Sequence, residues 1–102
     1  MIPVVKNNLD KIIDTCQKMQ VKSLYLFGSA AREDGFTKES DLDFLFQFKL
    51  NNSGMPVADY DYFDLLFSLE EITGKKVDLV AEEKVINKYF MEKINKEKIK
   101  VF

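Results

Sequence analysis

The sequence predicts an α/β domain in which helices cover the apolar face of a small sheet. Its 102 residues suit one domain of ordinary size, so we expect residues 1–102 to form a single domain. Segments with strand periodicity alternate along the chain with segments of helix periodicity, and no repeat or low-complexity stretch interrupts them. The order helix, strand, short helix or turn, strand, helix, strand, helix is typical of this fold class.

The first part of the chain begins with a predicted helix over residues 3–19. Pro3 suits the first helical position. Apolar residues at three- and four-residue spacing form one stripe: Val5, Leu9, Ile12, Cys16 and Met19. Because Cys16 belongs to this stripe, we expect a buried structural thiol. Residues 21–27 follow as a predicted strand that ends at Gly28, where a turn or short helix begins.

The second strand, residues 41–49, alternates strictly between two faces. One face carries Leu42, Phe44, Phe46 and Phe48, and the other carries Asp41, Asp43, Leu45, Gln47 and Lys49. After a loop at 51–56, residues 58–73 have the pattern of an aromatic-rich helix that Gly74 closes. The remaining predicted elements are a strand at 76–80, a helix around 83–97 and a short apolar end at 99–102.

The composition restricts the possible chemistry. The chain has one cysteine, no histidine and no tryptophan, which excludes internal disulfides, Ser-His-Asp triads and Cys-His dyads, and leaves no ligand set for structural zinc. Any catalysis must use carboxylates, hydroxyls, lysine, arginine and metal ions. No apolar run approaches the roughly 20 residues of a membrane span, and the first residues lack the pattern of a signal peptide. We therefore expect a cytoplasmic protein without a membrane partner.

The charge is unevenly distributed although the net charge is only −2. Residues 1–74 carry 7 basic and 12 acidic side chains, and residues 75–102 carry 8 and 5. A basic tail can contact nucleic acid. Here the lysines alternate with glutamates and apolar residues, which favours a solvated helix face and no direct contact with nucleic acid.

Three aspartates on two strands are candidate metal ligands. Period-two alternation places Asp41 and Asp43 on one face, roughly 7 Å apart at the backbone. Aspartate is disfavoured in strands, and neighbouring carboxylates raise each other's proton affinity unless a cation neutralises them. Asp78 interrupts the third strand on the face opposite Val77 and Leu79. Each aspartate taken alone can be a surface acid, but together they suit a pair of Mg²⁺ ions.

Gly28 and Ser29 follow the first strand and are candidate phosphate ligands. Glycine lets the backbone approach a ligand, and free N–H groups and the Ser29 hydroxyl can donate to phosphate. The alternative is a plain turn with Ser29 as the N-cap of a helix. Combined with the three acids, the turn describes a phosphate cradle facing a metal site, which fits transfer from a nucleoside triphosphate. Such a transfer relies on positioning and needs no histidine.

At these residues the chain resembles the minimal nucleotidyltransferases, small members of the DNA polymerase β-like superfamily, and in particular their antitoxin type. The family motif is Gly-Ser, a spacer, and then acid–hydrophobic–acid–hydrophobic. Here it is Gly28-Ser29, eleven residues and Asp41-Leu42-Asp43-Phe44, with Asp78 as the third acid. The resemblance covers nearly the whole chain. It implies a small mixed sheet with helices on one face, as in the palm of polymerase β.

The resemblance also implies roles for these residues. Gly28 and Ser29 would hold the triphosphate of ATP, Asp41 and Asp43 would bind the metal ions, and Asp78 would complete the catalytic metal site. The implied cofactor is Mg²⁺, with two ions, and the implied substrate is ATP.

Arg32 and Glu33 need separate interpretations. Arg32 lies where the family has an arginine near the triphosphate, but it could equally pair with Glu33 or Asp34. Glu33 departs from the family, which usually has glycine there. An acid at this position weakens anion binding unless it turns outward or pairs with Lys38.

The resemblance implies a protein partner as well. Short family members are often paired with a HEPN-domain toxin, and they act as its antitoxin by transferring AMP to a toxin tyrosine. The chain length agrees, because it leaves no room for a second domain that binds an acceptor, and a homo- or hetero-oligomer is possible. Aromatic residues belong either to the core or to such an interface: Tyr60, Phe63, Phe67, Tyr89, Phe90 and Phe102.

The predicted function is therefore a Mg²⁺-dependent nucleotidyltransferase that transfers AMP from ATP to a protein hydroxyl. The alternative is an antitoxin that masks its partner by binding alone; Glu33 favours it, and three retained aspartates argue against it. A third candidate is a nucleotidyltransferase for small molecules. Such enzymes carry an additional acceptor domain, for which 102 residues leave no room.

Overall fold

Four strands form one mixed sheet in the computed structural model, which describes residues 1–102. The strands are β1 (Val21–Phe27), β2 (Leu42–Phe48), β3 (Val77–Ala81) and β4 (Ile99–Lys100). The helices are α1 (Pro3–Lys6), α2 (Leu9–Lys18), α3 (Gly28–Arg32), α4 (Tyr62–Thr73) and α5 (Lys88–Glu97), with a short 3-10 helix at Glu82–Lys84. The predicted α/β class is confirmed.

The strand order in the sheet is β3-β2-β1-β4. β1 pairs antiparallel with β2 and with β4, whereas β2 and β3 are parallel. A parallel pair needs a crossover connection, and α4 lies within the segment that joins β2 to β3. The register places Phe27 opposite Asp43, and Asp43 opposite Asp78.

The main core lies between one face of the sheet and the helices α1, α2 and α4. It contains 19 buried residues, among them Ile12 and Cys16 of α2 and Leu65 and Leu69 of α4. Burying one large aliphatic side chain contributes about 1.5–3 kcal/mol, so this cluster is the main source of stability. Burial raises the pKa of Cys16 to about 12. The thiol therefore stays protonated, as expected for a structural cysteine.

A smaller apolar cluster lies apart from the main core, where α5 packs on the other face of the sheet. It consists of Phe27, Leu45 and Ile94, all of them buried. The prediction that the helices cover one face holds for α1, α2 and α4, and α5 is the exception. The physical reason is the alternation in β2, which places the apolar Leu45 on the same face as Asp43 and leaves it in need of cover.

Several helix boundaries differ from the predicted ones, and local side-chain hydrogen bonds explain these differences. The predicted helix 3–19 is two helices, separated at Asn7-Asn8. The Asn8 side chain donates to the Val4 carbonyl oxygen at 2.7 Å, so it competes with helical hydrogen bonding. α4 begins later than predicted because Asp61 and Asp64 form a capping box.

The carboxy-terminal helix also begins later than predicted. The Asn87 side chain accepts hydrogen bonds from the Tyr89 and Phe90 N–H groups, so it starts α5 after the separate 3-10 turn. At the end of α4, Gly74 adopts the predicted C-cap conformation with φ +68°. No helix combines the length and the apolar character that crossing a bilayer requires.

Candidate nucleotide and metal site

Neighbouring residues of three strands form the base of the candidate site. Phe27, at the end of β1, is paired with Asp43 of β2, and Asp43 is paired with Asp78 of β3. Paired residues of adjacent strands point to the same face. The two aspartates, far apart in sequence, are therefore neighbours on the face that α5 partly covers.

Gly28 brings the backbone directly against Asp43. It has φ +70°, a conformation that side chains disfavour. A Cβ atom on Gly28 would overlap Oδ2 of Asp43 and lie 3.2 Å from its Cγ. Glycine is thus required here both by the backbone angle and by the closeness of the Asp43 carboxylate.

One cavity of about 360 Å³ brings together most of the predicted site residues: Gly28, Ser29, Arg32, Asp43 and Asp78. Ser29 is the second residue of α3, whose N-cap is Phe27. The interpretation of Ser29 as an N-cap is therefore wrong. Its position in the cavity wall agrees with the predicted role as a phosphate ligand, which stays a prediction.

Asp41 lies outside this group. It is exposed immediately before β2 and lines a different depression beside Lys75 and Lys76. No three acidic side chains lie close enough together to form a preformed metal site. The structure thus pairs Asp43 with Asp78, and the predicted role of Asp41 as a metal ligand stays a prediction.

Asp43 has an unusual electrostatic environment. Partial burial and the negative charges of Asp78, Asp41 and Glu97 together raise its pKa to about 6, while Arg32 acts in the opposite direction. A cation beside Asp43 and Asp78 would remove this repulsion. Their carboxylate oxygens are the hard ligands that Mg²⁺ prefers, so the donor set fits that ion.

Arg32 pairs with Glu97, and neither Glu33 nor Asp34 is its partner. Nη1 of Arg32 lies 2.7 Å from Oε2 of Glu97. The other carboxylate oxygen, Oε1, accepts a hydrogen bond of 3.0 Å from the N–H of Gly28. Hydrogen bonding to Glu97 raises the pKa of Arg32. Partial burial opposes ionisation of Glu97, but the hydrogen bonds from Arg32 and Gly28 outweigh it and lower the pKa of Glu97.

Glu97 is the site residue that the sequence did not reveal. In the sequence it belongs to a run of alternating lysines and glutamates, which indicates only a solvated helix face. On α5 it shares a face with Phe90 and Lys93, and all three line the cavity. Their spacing is visible in the sequence, but nothing there shows which part of the sheet this face covers.

Glu33 turns away from the cavity. It follows α3 in the left-handed conformation, with φ +62°, which explains why glycine suits this position. Its carboxylate lies 3.9 Å from the amino terminus of Met1 and does not pair with Lys38. Of the two arrangements that would spare anion binding, the structure has the first: Glu33 turns outward and does not line the cavity.

The site combines donors for an anion with ligands for a cation. The Gly28 N–H and the Arg32 guanidinium lie in the same cavity as Asp43 and Asp78. On a small mixed sheet, this arrangement defines a nucleotide-transferring class of protein. The chain matches the family described as polymerase beta, nucleotidyltransferase, over residues 10–102. It belongs to this family, which confirms the predicted enzyme class.

Relatives in sequence support the same class. The chain is 39% identical over 84 residues to MJ1379 of Methanocaldococcus jannaschii, a protein provisionally named as a protein adenylyltransferase. The match covers 82% of this chain and 80% of the relative. A second protein of that organism with the same provisional name, MJ0128, is 36% identical over 86 residues, covering 83% of this chain and 81% of that protein.

Solved structures confirm the fold. A provisionally assigned minimal nucleotidyltransferase superimposes with a TM-score of 0.73 at 26% identity, covering 93% of this chain and 90% of that one. A toxin–antitoxin complex with AMP-PNP contains a chain with a TM-score of 0.67 at 20% identity, covering 93% and 73%. A chain in the complex of a tri-AMPylated Shewanella oneidensis HEPN toxin with its MNT antitoxin gives 0.62 at 19%, covering 95% and 71%.

Proposed function

We propose that the protein transfers AMP from ATP, in the presence of Mg²⁺, to a hydroxyl group of a partner protein. The observation that carries this proposal is the single cavity shared by the Gly28 N–H, Arg32, Asp43 and Asp78. It provides donors for phosphate beside ligands for a cation, which is what phosphoryl transfer by positioning and electrostatics requires. A cytoplasmic location is part of this proposal, because the proposed reaction requires ATP as its substrate.

Each residue has a defined role in the proposed reaction. Gly28, Ser29 and Arg32 bind the phosphate oxygens, and Asp43 and Asp78, with Asp41, hold the metal ions. When bound, Mg²⁺ neutralises the charge that develops on the phosphates.

The proposed chemistry is a single displacement at phosphorus. The acceptor oxygen forms a bond to the α-phosphorus, the bond from the α-phosphorus to the bridging oxygen breaks, and pyrophosphate leaves with that electron pair. Asp78, which is exposed at the cavity, accepts the hydroxyl proton.

The proposed acceptor is a tyrosine of a HEPN-domain toxin. Two kinds of observation support it: sequence relatives are provisionally named protein adenylyltransferases, and structures of the same fold include an AMPylated HEPN toxin with its MNT antitoxin. In this assignment the protein acts as the antitoxin, and the complex with its toxin is a hetero-oligomer.

The direct test is to incubate the protein with ATP, Mg²⁺ and the candidate HEPN partner, and to measure intact masses of both proteins. We expect mass increments of AMP on the partner that disappear when Mg²⁺ is chelated. Asp43→Asn should abolish the transfer, whereas Asp59→Asn, at an exposed loop position outside the cavity, should preserve it. Transfer that persists in Asp43→Asn would contradict the proposed site.

The second candidate function is an antitoxin that neutralises its partner by binding alone. Glu33 no longer favours it, but Glu97 does, because this carboxylate occupies the two anion donors of the cavity. The triple replacement of Asp41, Asp43 and Asp78 by asparagine separates the candidates. Neutralisation that survives this replacement, without any mass change on the partner, favours masking.

A further inference from the structure

Glu97 bridges the two groups that the proposed function assigns to phosphate. One carboxylate oxygen accepts from the Gly28 N–H at 3.0 Å and the other pairs with Nη1 of Arg32 at 2.7 Å. Glu97 lies 69 residues from Gly28 and 65 from Arg32 in sequence, so the fold, and not local geometry, brings the groups together. A carboxylate and a phosphate oxygen make the same hydrogen bonds to such donors.

The contact is well protected from solvent on the Glu97 side. Its side chain is 12% exposed, compared with 41% for Arg32. Both oxygens of Glu97 are engaged, and a phosphate oxygen can use the Gly28 N–H only after Glu97 has released it. The two anions therefore compete for one set of donors.

We propose that Glu97 is an internal competitor of the triphosphate: it holds the Gly28 N–H and Arg32 while the site is empty and releases both when the nucleotide binds. The inference rests on the proposed function, because it takes a triphosphate as the anion that replaces Glu97. It adds a residue of α5 to the determinants of nucleotide affinity.

The charges in the cavity support a competing role. Glu97 adds a negative charge beside Asp43 and Asp78, and the cavity offers only Arg32 and Lys93 as cations. A fixed carboxylate at the donors opposes the entry of another anion. Lys93 lies one turn before Glu97 on the same face of α5, within reach of a released carboxylate. When the nucleotide displaces the Glu97 carboxylate from Arg32, this carboxylate would thus pair with Lys93 and keep a cationic partner.

A different role for Glu97 makes the opposite prediction. If Glu97 only positioned Arg32 for the nucleotide, removing its charge would weaken binding. If it competes, the same change strengthens binding. The sign of the change in Kd therefore separates the two roles.

The test is to measure by titration calorimetry the Kd of inorganic triphosphate and of ATP with Mg²⁺, for the wild type, Glu97→Gln and the control Glu92→Gln. Glu92 is an exposed residue of the same helix and does not line the cavity. We expect Glu97→Gln to bind both ligands more tightly, by about tenfold, because a charge-assisted hydrogen bond no longer has to be replaced. Glu92→Gln should match the wild type.

A second readout follows the displacement without any activity. In ¹⁵N-resolved NMR spectra, the Gly28 amide signal should shift when triphosphate is added to the wild type, and Glu97→Gln should shift it before any ligand is present. If the wild type binds ATP but Glu97→Gln binds it equally or more weakly, the competing role is overturned and the proposed function stands. If neither protein binds ATP or triphosphate, the proposed function fails and the inference fails with it.

Discussion

Asp43 shows at the scale of one residue how a binding group is kept at the expense of stability. Its pKa, about 6 compared with an ordinary value of 3.8, means that the folded protein holds this proton more tightly than the unfolded chain. Between these two values stability falls as the pH rises, because the unfolded state has already lost the proton. At neutral pH the ionised carboxylate therefore destabilises the fold when no cation is bound.

We predict that Asp43→Asn stabilises the metal-free protein at pH 7.5 while abolishing transfer. The full pKa difference corresponds to about 3 kcal/mol, and solvent screening at a partly exposed group reduces the expected gain to about 1 kcal/mol. Urea unfolding at pH 7.5 and at pH 4 measures it, and the gain should shrink at the lower pH, where Asp43 is protonated. A variant that is less stable than the wild type at pH 7.5 would contradict this account.

The backbone conformation of Glu33 is less favourable for glutamate than it would be for glycine. It is held at φ +62° after α3, and its contact with the amino terminus is long and exposed, so that contact contributes little. We predict that Glu33→Gly raises the free energy of unfolding by about 0.5–1 kcal/mol, the relief of left-handed strain being partly offset by a more flexible unfolded chain.

Gly74 provides the converse control. It has φ +68° and open space around its Cα, so Gly74→Ala should lower the free energy of unfolding by about 1 kcal/mol through strain alone. Both changes are measured by urea unfolding. The same sign for the two variants would show that backbone conformation is not the cause.

A functional residue can be predicted from the sequence when its neighbours along the chain make it unusual. It is missed when its role depends on contacts with residues distant in sequence. Gly28, Asp43 and Asp78 stand out because a glycine after a strand and acids within apolar strands are locally unusual. Glu97 is an ordinary acid on a charged helix, and its role depends on hydrogen bonds to Gly28 and Arg32 across most of the chain. That Asp41 lines a different depression from the one shared by Asp43 and Asp78 is likewise not visible in the sequence.

At the scale of elements, α5 couples the smaller apolar cluster to the site. Ile94 anchors the helix on Leu45 and Phe27, and Glu97 of the same helix contacts Gly28. We predict that Ile94→Ala lowers the free energy of unfolding by about 2–4 kcal/mol, because it leaves a cavity at a fully buried position. Lys96→Ala, at an exposed position of the same helix, should change it by less than about 0.5 kcal/mol.

The coupling itself can be measured on the same variant. If α5 loses its anchor, the hydrogen bond from Gly28 to Glu97 weakens, and the Gly28 amide should exchange with solvent faster in Ile94→Ala than the loss of global stability alone requires. Equal acceleration at Gly28 and in the centre of β1 would show that α5 does not act on the site separately.

The elements with simple periodicity were predicted well. β1 occupies residues 21–27 as predicted, and β2 and β3 each deviate by one residue at both ends. The helices were less predictable, because side-chain hydrogen bonds of asparagine and aspartate change their limits. Asn8 divides the first predicted helix, and the caps Asp61 and Asn87 delay α4 and α5. Capping depends on single side-chain hydrogen bonds, which apolar periodicity does not report.

At the scale of the whole molecule, exposed aromatic residues lie on two different helices. Phe63 and Phe67 stack on α4, which belongs to the main core, whereas Tyr89 and Phe90 belong to α5 beside the site. Phe90 itself lines the cavity and packs edge-on against Phe27. Under the proposed function, the acceptor protein must reach this side of the sheet.

We therefore predict that Tyr89→Ser reduces modification of the acceptor several-fold without changing the Kd of ATP. Tyr89 is 72% exposed, so its loss should scarcely affect folding. Phe67→Ser is the matched control, since Phe67 is 60% exposed on the other face and should leave the transfer rate unchanged. The rate is read from intact masses over time; a larger effect of Phe67→Ser would place the acceptor on α4.

The parallel pairing of β2 with β3 has a consequence for how the chain tolerates changes of length. Asp43 and Asp78 are neighbours because they are paired across β2 and β3 and therefore lie on the same face of the sheet. Side chains alternate between the two faces along a strand, so a one-residue shift of this register turns one of the acids to the opposite face. The loop Asn51–Pro56 is different: it is exposed and closed by a bridge between Leu50 and Pro56, and longer loops cost little. A peptide tag or a natural insertion placed between Ser53 and Gly54 should thus leave the acid pair intact. The crossover between β2 and β3 therefore tolerates changes of length, whereas the register of β2 with β3 does not.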